Sequence, residues 1–395
     1  MDILSLTNLS IVAVLLLIGI GAVIYYVHTN KAKKSAPEKV APPPPPLPPP
    51  VERHEANPVI SPKPHREWET YGTLNPAAVE DSKGDVHLLY RAIGDNGLSN
   101  IGHARSEDGL DFSTRSSFPV YRPSTEESTL ATLEKEAEKN GATRVKEYNP
   151  TVYHSGGGWG GYEDPRLVKI GDRVYMTYTD FQGWHSVRIA LTSIAVADLE
   201  KERWNWKKPQ LISPANEVNK NWLIFPEKIN GKYAILHGIV PKIMIDFVDD
   251  LDAPIKPISS PRKQGPQPGR EDFWDSFMRG AGPPPLKTEI GWLLLYHAID
   301  KNEPNKYKLG AMILDLKDPT KILYRSSHPI LAPDACYEND GKPGVVYASG
   351  ALIREGQLFI YYGGGDKHVC VAQTELQPLL GWLMEHGKVY EKTRK

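Results

Sequence analysis

Beyond Trp68 one hydrophobic pattern recurs five times: a turn containing glycine, then a strand of alternating aromatic or aliphatic residues. The copies begin at Gly84, Gly171, Gly231, Gly291 and Gly356, and run Val86 to Tyr90, Val174 to Tyr178, Tyr233 to His237, Trp292 to His297 and Leu358 to Tyr362. In the second, Val174, Met176 and Tyr178 alternate with Tyr175 and Thr177, the period of a half-buried strand. The glycines are 87, 60, 60 and 65 residues apart. A β-rich unit near 60 residues, with few long helices, predicts propeller blades of about four strands. Five units predict an all-β, five-bladed β-propeller over residues 67–376. The long first interval holds an insertion at about 123–147, where Ser128, Leu130, Leu133, Glu134, Ala137 and Glu138 suggest a capped amphipathic helix. The tail at 377–395 reads as helical, with Leu379, Leu380, Leu383 and Met384 on one face.

The first residues read differently. After an eight-residue tail, positions 9–27 carry no charge, and at 1.5 Å per residue such a run roughly spans a hydrocarbon core of about 30 Å. A single transmembrane helix over 9–28 is expected, with Tyr25 and Tyr26 at the interface. No basic segment precedes the run, which disfavours a signal peptide. Lys31, Lys33 and Lys34 follow it, so the positive-inside rule places the large domain in the cytoplasm of a single-pass membrane protein. Residues 29–66 form a Lys/Pro-rich linker whose proline runs favour a semi-rigid polyproline II stalk.

Composition adds little beyond exclusions. A net charge of −1 gives no reason to expect a nucleic-acid partner. The two cysteines are too few for a disulfide framework. Nine Trp and 19 Tyr suit carbohydrate stacking and a β-rich core equally. No cofactor or metal is expected.

Candidate chemistry gathers at equivalent strand ends: Arg91, Asp180, His237, His297 and Asp366 each follow or close a repeat strand, and in a propeller such ends surround one channel. The densest stretch is Tyr162-Glu163-Asp164-Pro165-Arg166. A residue before proline is driven toward an extended conformation, which would hold Asp164 on a stiff strand. A structural ion pair between Arg166 and Asp164 or Glu163 is the plain alternative.

These motifs, with Tyr90-Arg91-Ala92, Ser99 to Gly109, Leu223 to Tyr233, Gly280 to Pro285 and Tyr361 to Asp366, resemble glycoside hydrolase family 130. The likeness runs in order from about Thr70 to Leu376. It implies a five-bladed propeller acting on β-mannosides with inversion, by phosphorolysis in most members and hydrolysis in some. It implies that Asp164 is the acid, protonating the glycosidic oxygen through the sugar's 3-hydroxyl, unlike two carboxylates flanking the bond. It implies sugar-binding roles for Asp366, Arg91, Ser99 and Tyr162. Arg166, two residues from Asp164 in an extended chain, would lower its pKa, the opposite of what an acid needs.

The phosphate pocket is where the chain departs from the resemblance. Lys220, His237, His297 and Tyr307 line the expected pocket, but Gly238 and Met278 stand where phosphorolytic members present cations. Arg279 is expected on the opposite face of its strand. Each charged hydrogen bond lost costs about 1.5–3 kcal/mol, so the expectation leans to hydrolysis. Water then needs a general base, with Glu227 and Asp275 the main candidates beside Glu271 and Asp272. The expected partners are a β-mannoside oligosaccharide, inorganic phosphate if the enzyme is phosphorolytic, and the membrane. The alternatives are a β-1,4-mannosyl-glycan phosphorylase and a glycan-binding propeller without turnover. A five-bladed furanosidase would need carboxylates on three blades and fits the motifs less well.

Overall fold

The computed structural model describes residues 47–49, 51–123, 158, 160–184, 186–237, 243–258, 265–266 and 269–389. The fold is all-β. A short strand β1 (Glu52–Arg53) comes first. Five antiparallel meanders follow. The first is β2 (Gly72–Glu80), β3 (Val86–Ile93), β4 (Leu98–Ser106) and β5 (Thr114–Arg115), and the second is β6 (Gly160–Ile170), β7 (Arg173–Phe181), β8 (Val187–Ala195) and β9 (Gln210–Leu211). The third is β10 (Leu223–Ile229), β11 (Lys232–His237) and β12 (Met244–Val248). The fourth is β13 (Phe277–Ala281), β14 (Leu286–Thr288), β15 (Gly291–Asp300), β16 (Glu303–Leu314) and β17 (Ile322–Arg325). The fifth is β18 (Val346–Arg354), β19 (Gln357–Gly364) and β20 (His368–Glu375).

The period-2 alternation explains how the meanders assemble. Successive side chains leave a strand on opposite faces, so each sheet offers apolar residues to both neighbours. Leu293 and Leu295 pack with Val346, Leu358 and Ile360 of the fifth meander. Trp292 and Leu294, one residue out of phase, pack with Phe225 and Leu236 of the third. Similar clusters join the second meander to the third and the first to the second. A fifth, with Val86, Leu88 and Tyr90 against Phe359, Tyr361 and Val371, joins the fifth meander back to the first. The first two meanders are also joined into one sheet by parallel pairing of β4 with β6. Five interfaces for five meanders close a ring, and this fits a propeller.

Four of the repeat glycines sit in β-turns. Gly84, Gly171, Gly231 and Gly356 have φ between 61° and 92° with open space where a Cβ would stand, so conformation alone demands glycine there. Gly291 differs: a Cβ would meet the Leu314 carbonyl oxygen at 2.4 Å.

β1 belongs to the ring rather than to a linker. Glu52 and Arg53 pair with Gln373 and Ala372 of β20, adding a strand to the last meander from the beginning of the chain. Ile60 bridges Val369 and is buried. The expected linker to residue 66 thus contains the closing strand, which is too short to show any alternation. The C-terminal helix, Leu376–His386, buries Leu379, Leu380 and Leu383, whereas Met384 is 41% exposed.

The expectation of a membrane-spanning helix, and with it that of a single-pass membrane location, is corrected: among the described residues no helix is long and apolar enough to cross a membrane. The uncharged run 9–27 and the expected helical insertion lie outside the described residues.

One buried carboxylate adds a side-chain tie between β1 and the fifth meander. Glu338 accepts from Arg53 Nε at 2.7 Å, the Asp334 and Ala335 amides at 2.7 and 2.8 Å, and the Tyr362 hydroxyl at 2.8 Å. Replacing Arg53 with Met leaves that charge with three donors and should destabilise the fold by about 2–3 kcal/mol. The midpoint of urea unfolding measures this, and an unchanged midpoint would show that β1 is dispensable.

Candidate active site

Each meander's first strand breaks register once: β2 between Leu74 and Ala77, β6 between Glu163 and Arg166, β10 between Ile224 and Lys228, β13 between Met278 and Gly280, and β18 between Ala348 and Gly350. These strands meet one another, β2 with β18 and β6, and β6 also with β10 and β18. A bulge re-aims side chains at the place where it interrupts the ladder. Polar residues are turned there toward the middle of the ring.

Asp164 sits in such a bulge. Its φ is 50°, so it is left-handed rather than extended as the proline rule suggested. Aspartate tolerates this region better than most residues, and the ladder on either side holds it. Its Oδ1 accepts from Asn75 Nδ2 at 2.7 Å. Asn75 repeats the arrangement one meander earlier, with φ 50° before Pro76. Arg91 Nη1 is 3.4 Å from the same oxygen.

Glu163 carries the other charge contacts, with Arg91 Nη2 at 2.9 Å and Lys220 Nζ at 2.7 Å. Ser99 Oγ accepts from Arg91 Nε at 2.9 Å, so Ser99 steadies the arginine. The paired glycines before Tyr162 allow this crowding, since a Cβ on Gly161 would stand 2.2 Å from the Ser99 carbonyl oxygen.

Arg166 turns away from the Asp164 carboxylate. Its guanidinium is buried and donates to the carbonyls of Gly282 and Asp164, both at 2.8 Å, and to the Tyr347 hydroxyl at 2.7 Å. Tyr347 in turn donates to Asn221 Oδ1. Burial works against ionisation of Asp164, but Arg91, Lys220, Arg166 and the Asn75 amide outweigh it and hold the carboxyl below the usual range.

His297 stacks on Tyr347, with ring centroids 4.5 Å apart and 9° between planes, and its centroid lies 5.3 Å from that of Tyr307. The Ala348 amide donates to Nε2 at 2.9 Å, so the ring's own proton is on Nδ1. Burial and the nearby Arg166 push the His297 pKa down to about 3, leaving a neutral donor. That Nδ1 is buried without a hydrogen-bond partner, and so is Nε of Arg279. The Arg279 guanidinium lies 5.9 Å from the Tyr307 ring centroid.

The face of β13 therefore decides the pocket. Met278 is buried in the apolar cluster between the third and fourth meanders. Arg279 does take the opposite face, as expected, and that face is the one bearing Tyr307 and His297. Asp366, with φ 49° after Gly365, adds a carboxylate near Tyr307, 3.4 Å from Lys342 Nζ.

Other candidates stand elsewhere. His237 Nε2 is 2.9 Å from Asp246 Oδ2 and its ring packs on Trp222. Tyr162 stacks on Tyr121 and tilts against Tyr178, and burial raises the pKa of Asp180 beside them. Asp275 is fully buried, bound by Arg270 at 2.9 Å, Arg325 at 2.7 Å and the Tyr296 hydroxyl at 2.7 Å. Glu227 is half-exposed and paired with Lys287 at 2.6 Å. Gly238 lies outside the described residues. Among the described residues no cluster of His, Cys, Asp or Glu is placed to hold a metal. Asn75, Asn221, Tyr347 and Arg279 were not foreseen in these positions. Asn75-Pro76 echoes Asp164-Pro165 and could have been found from that echo.

A family model described as β-1,4-mannooligosaccharide phosphorylase matches residues 118–385. The chain belongs to glycoside hydrolase family 130. Among its family 130 relatives, a 1,2-β-oligomannan phosphorylase of Thermoanaerobacter sp. strain X514 is 36% identical over 83% of this chain and 98% of that one. A β-1,2-mannobiose phosphorylase of the same strain is 34% identical over 80% and 95%. The solved structure of β-1,2-mannobiose phosphorylase from Listeria innocua, in complex with β-1,2-mannobiose, is 29% identical with a TM-score of 0.63, covering 84% of this chain and 99% of that one. The all-β ring described above is thus shared with a family 130 enzyme.

The buried neutral His297 makes a testable demand on pH. Its folded pKa, about 3, lies below the ordinary value of 6.5, so the unfolded chain binds the extra proton between these limits. Stability should fall as pH drops from about 6.5 toward 3. His297→Gln keeps an acceptor for the Ala348 amide and should reduce that slope by up to about 1.4 kcal/mol per pH unit. Urea unfolding at a series of pH values measures it. An unchanged slope would mean that His297 is not held neutral.

Proposed function

We propose that the chain is an inverting β-mannoside phosphorylase acting on β-1,2-linked mannosides. The observation that carries the reading is the pair of buried donors without partners, His297 Nδ1 and Arg279 Nε, both close to the Tyr307 ring. Buried donors are nearly always satisfied, and a pair of them, one on a guanidinium, calls for an anionic acceptor. Phosphate supplies one, and arginine is the side chain best shaped to hold it. The relatives' β-1,2 linkages support the choice of substrate.

Hydrolysis would require a pocket without cations and a free general base. Arg279 offers a cation on the pocket face, and Asp275 and Glu227 are engaged by other partners. In the reaction, a phosphate oxygen attacks the anomeric carbon from the face opposite the leaving group. The glycosidic C–O bond breaks, and the departing oxygen takes the proton of the Asp164 carboxyl, through the sugar's 3-hydroxyl if the family's relay applies. The products are α-mannose 1-phosphate and the shortened chain.

The field around Asp164 also suits an anionic nucleophile. Arg91, Lys220 and Arg166 hold its proton affinity down in the empty site. A phosphate dianion beside Arg279 and Arg166 offsets that field and raises the affinity again. Arrival of the nucleophile thus arms the acid.

Incubation with β-1,2-mannobiose should release mannose 1-phosphate in proportion to added phosphate. Free mannose from both sugar units at an equal rate without phosphate would return the reading to hydrolysis. Asp164→Asn keeps the shape and removes the titrating proton, so turnover should drop by about 10²–10⁴. Near-normal turnover would leave Asp164 a structural residue.

A further inference from the structure

Trp184 lies in the tight connection between β7 and β8, where Gln182 N–H donates to the Ser186 carbonyl at 2.9 Å and Gly183 takes φ 75°. It is 55% exposed. A single exposed aromatic is ordinary, but this one is held in place and stands beside the site. Its ring meets that of the buried Phe181 edge-on, 5.3 Å between centroids at 72°. Lys220 Nζ lies 5.3 Å from the Phe181 ring and 6.0 Å from the Trp184 ring, and the same nitrogen contacts Glu163 at 2.7 Å. One lysine therefore separates the indole from the residue next to Asp164.

We propose that Trp184 is a stacking platform for a pyranose on the leaving-group side of the cleaved bond, selecting chains longer than the disaccharide. The inference rests on the β-mannoside reading above. Arg91, Ser99 and Glu163 are buried and Trp184 is exposed, so a sugar chain seated against the buried group runs outward past Lys220 toward the indole. There an indole steadied by Phe181 presents an apolar surface to the C–H face of a sugar, which aromatic rings accept well. A platform past the first leaving-group sugar meets a trisaccharide and misses a disaccharide.

The test compares kcat/KM on β-1,2-mannobiose and β-1,2-mannotriose at saturating phosphate. Trp184→Ala should lower the trisaccharide value about tenfold, mainly through KM, and leave the disaccharide value unchanged. Trp184→Phe should restore most of the loss. Equal effects on both substrates, or none on either, would overturn the platform. Should the unmodified protein cleave neither substrate, the reading of function fails separately. Fluorescence titration with β-1,2-mannotriose then decides the platform: weaker binding to Trp184→Ala supports it, and equal binding overturns it.

Discussion

The middle of the ring depends on one buried guanidinium. Arg166 leaves β6 and reaches the carbonyl of Gly282 beyond β13, the hydroxyl of Tyr347 on β18, and the carbonyl of its own neighbour Asp164. Its partners are neutral oxygens, which satisfy the donors of a charge that would otherwise cost several kcal/mol to bury. Through Tyr347 the network extends to Asn221 before β10. One side chain thereby ties four of the five meanders together at their bulges. Asn75, donating to Asp164, adds the first.

Because those partners are neutral, the charge of Arg166 stays uncompensated in its own contacts. It is felt nearby. It opposes protonation of His297 and helps to keep Asp164 ionised. Arg91 and Lys220 are largely committed to Glu163. Arg166 and Arg279 then face a region that, among the described residues, holds the Tyr307 and Tyr347 hydroxyls, a neutral imidazole and the Asp366 carboxylate, itself 3.4 Å from Lys342. Two guanidinium groups there favour a negative charge, and in the proposed reaction an anion bound beside them would raise the proton affinity that the same field holds down at Asp164.

Much of this was legible in the chain. Five alternating strands after glycine turns identify the meanders, because a residue facing one neighbouring sheet is followed by one facing the other. Trp292 and Leu293 show this directly, each in a different interface. The closing strand was not legible, since two residues cannot display a period and their partners lie at the far end of the chain. The backbone of Asp164 was misjudged because a local rule about proline gave way to a ladder that fixes both sides of the bulge. The role of Arg279 was missed for a related reason. Its face follows from strand parity, but which face of β13 meets the site depends on how the whole ring closes. The aromatic seat of Tyr162 likewise depends on Tyr121 and Tyr178, contacts that no motif announces.

In the proposed reading the pocket beside Tyr307 is built for an anion by Arg279. Calorimetric titration of the unmodified chain with inorganic phosphate tests it without requiring any sugar. Binding should be saturable, weakened about tenfold or more in Arg279→Met by the loss of one charged hydrogen bond, and unchanged in Met278→Leu. No binding to the unmodified chain, or equal binding to Arg279→Met, would contradict it.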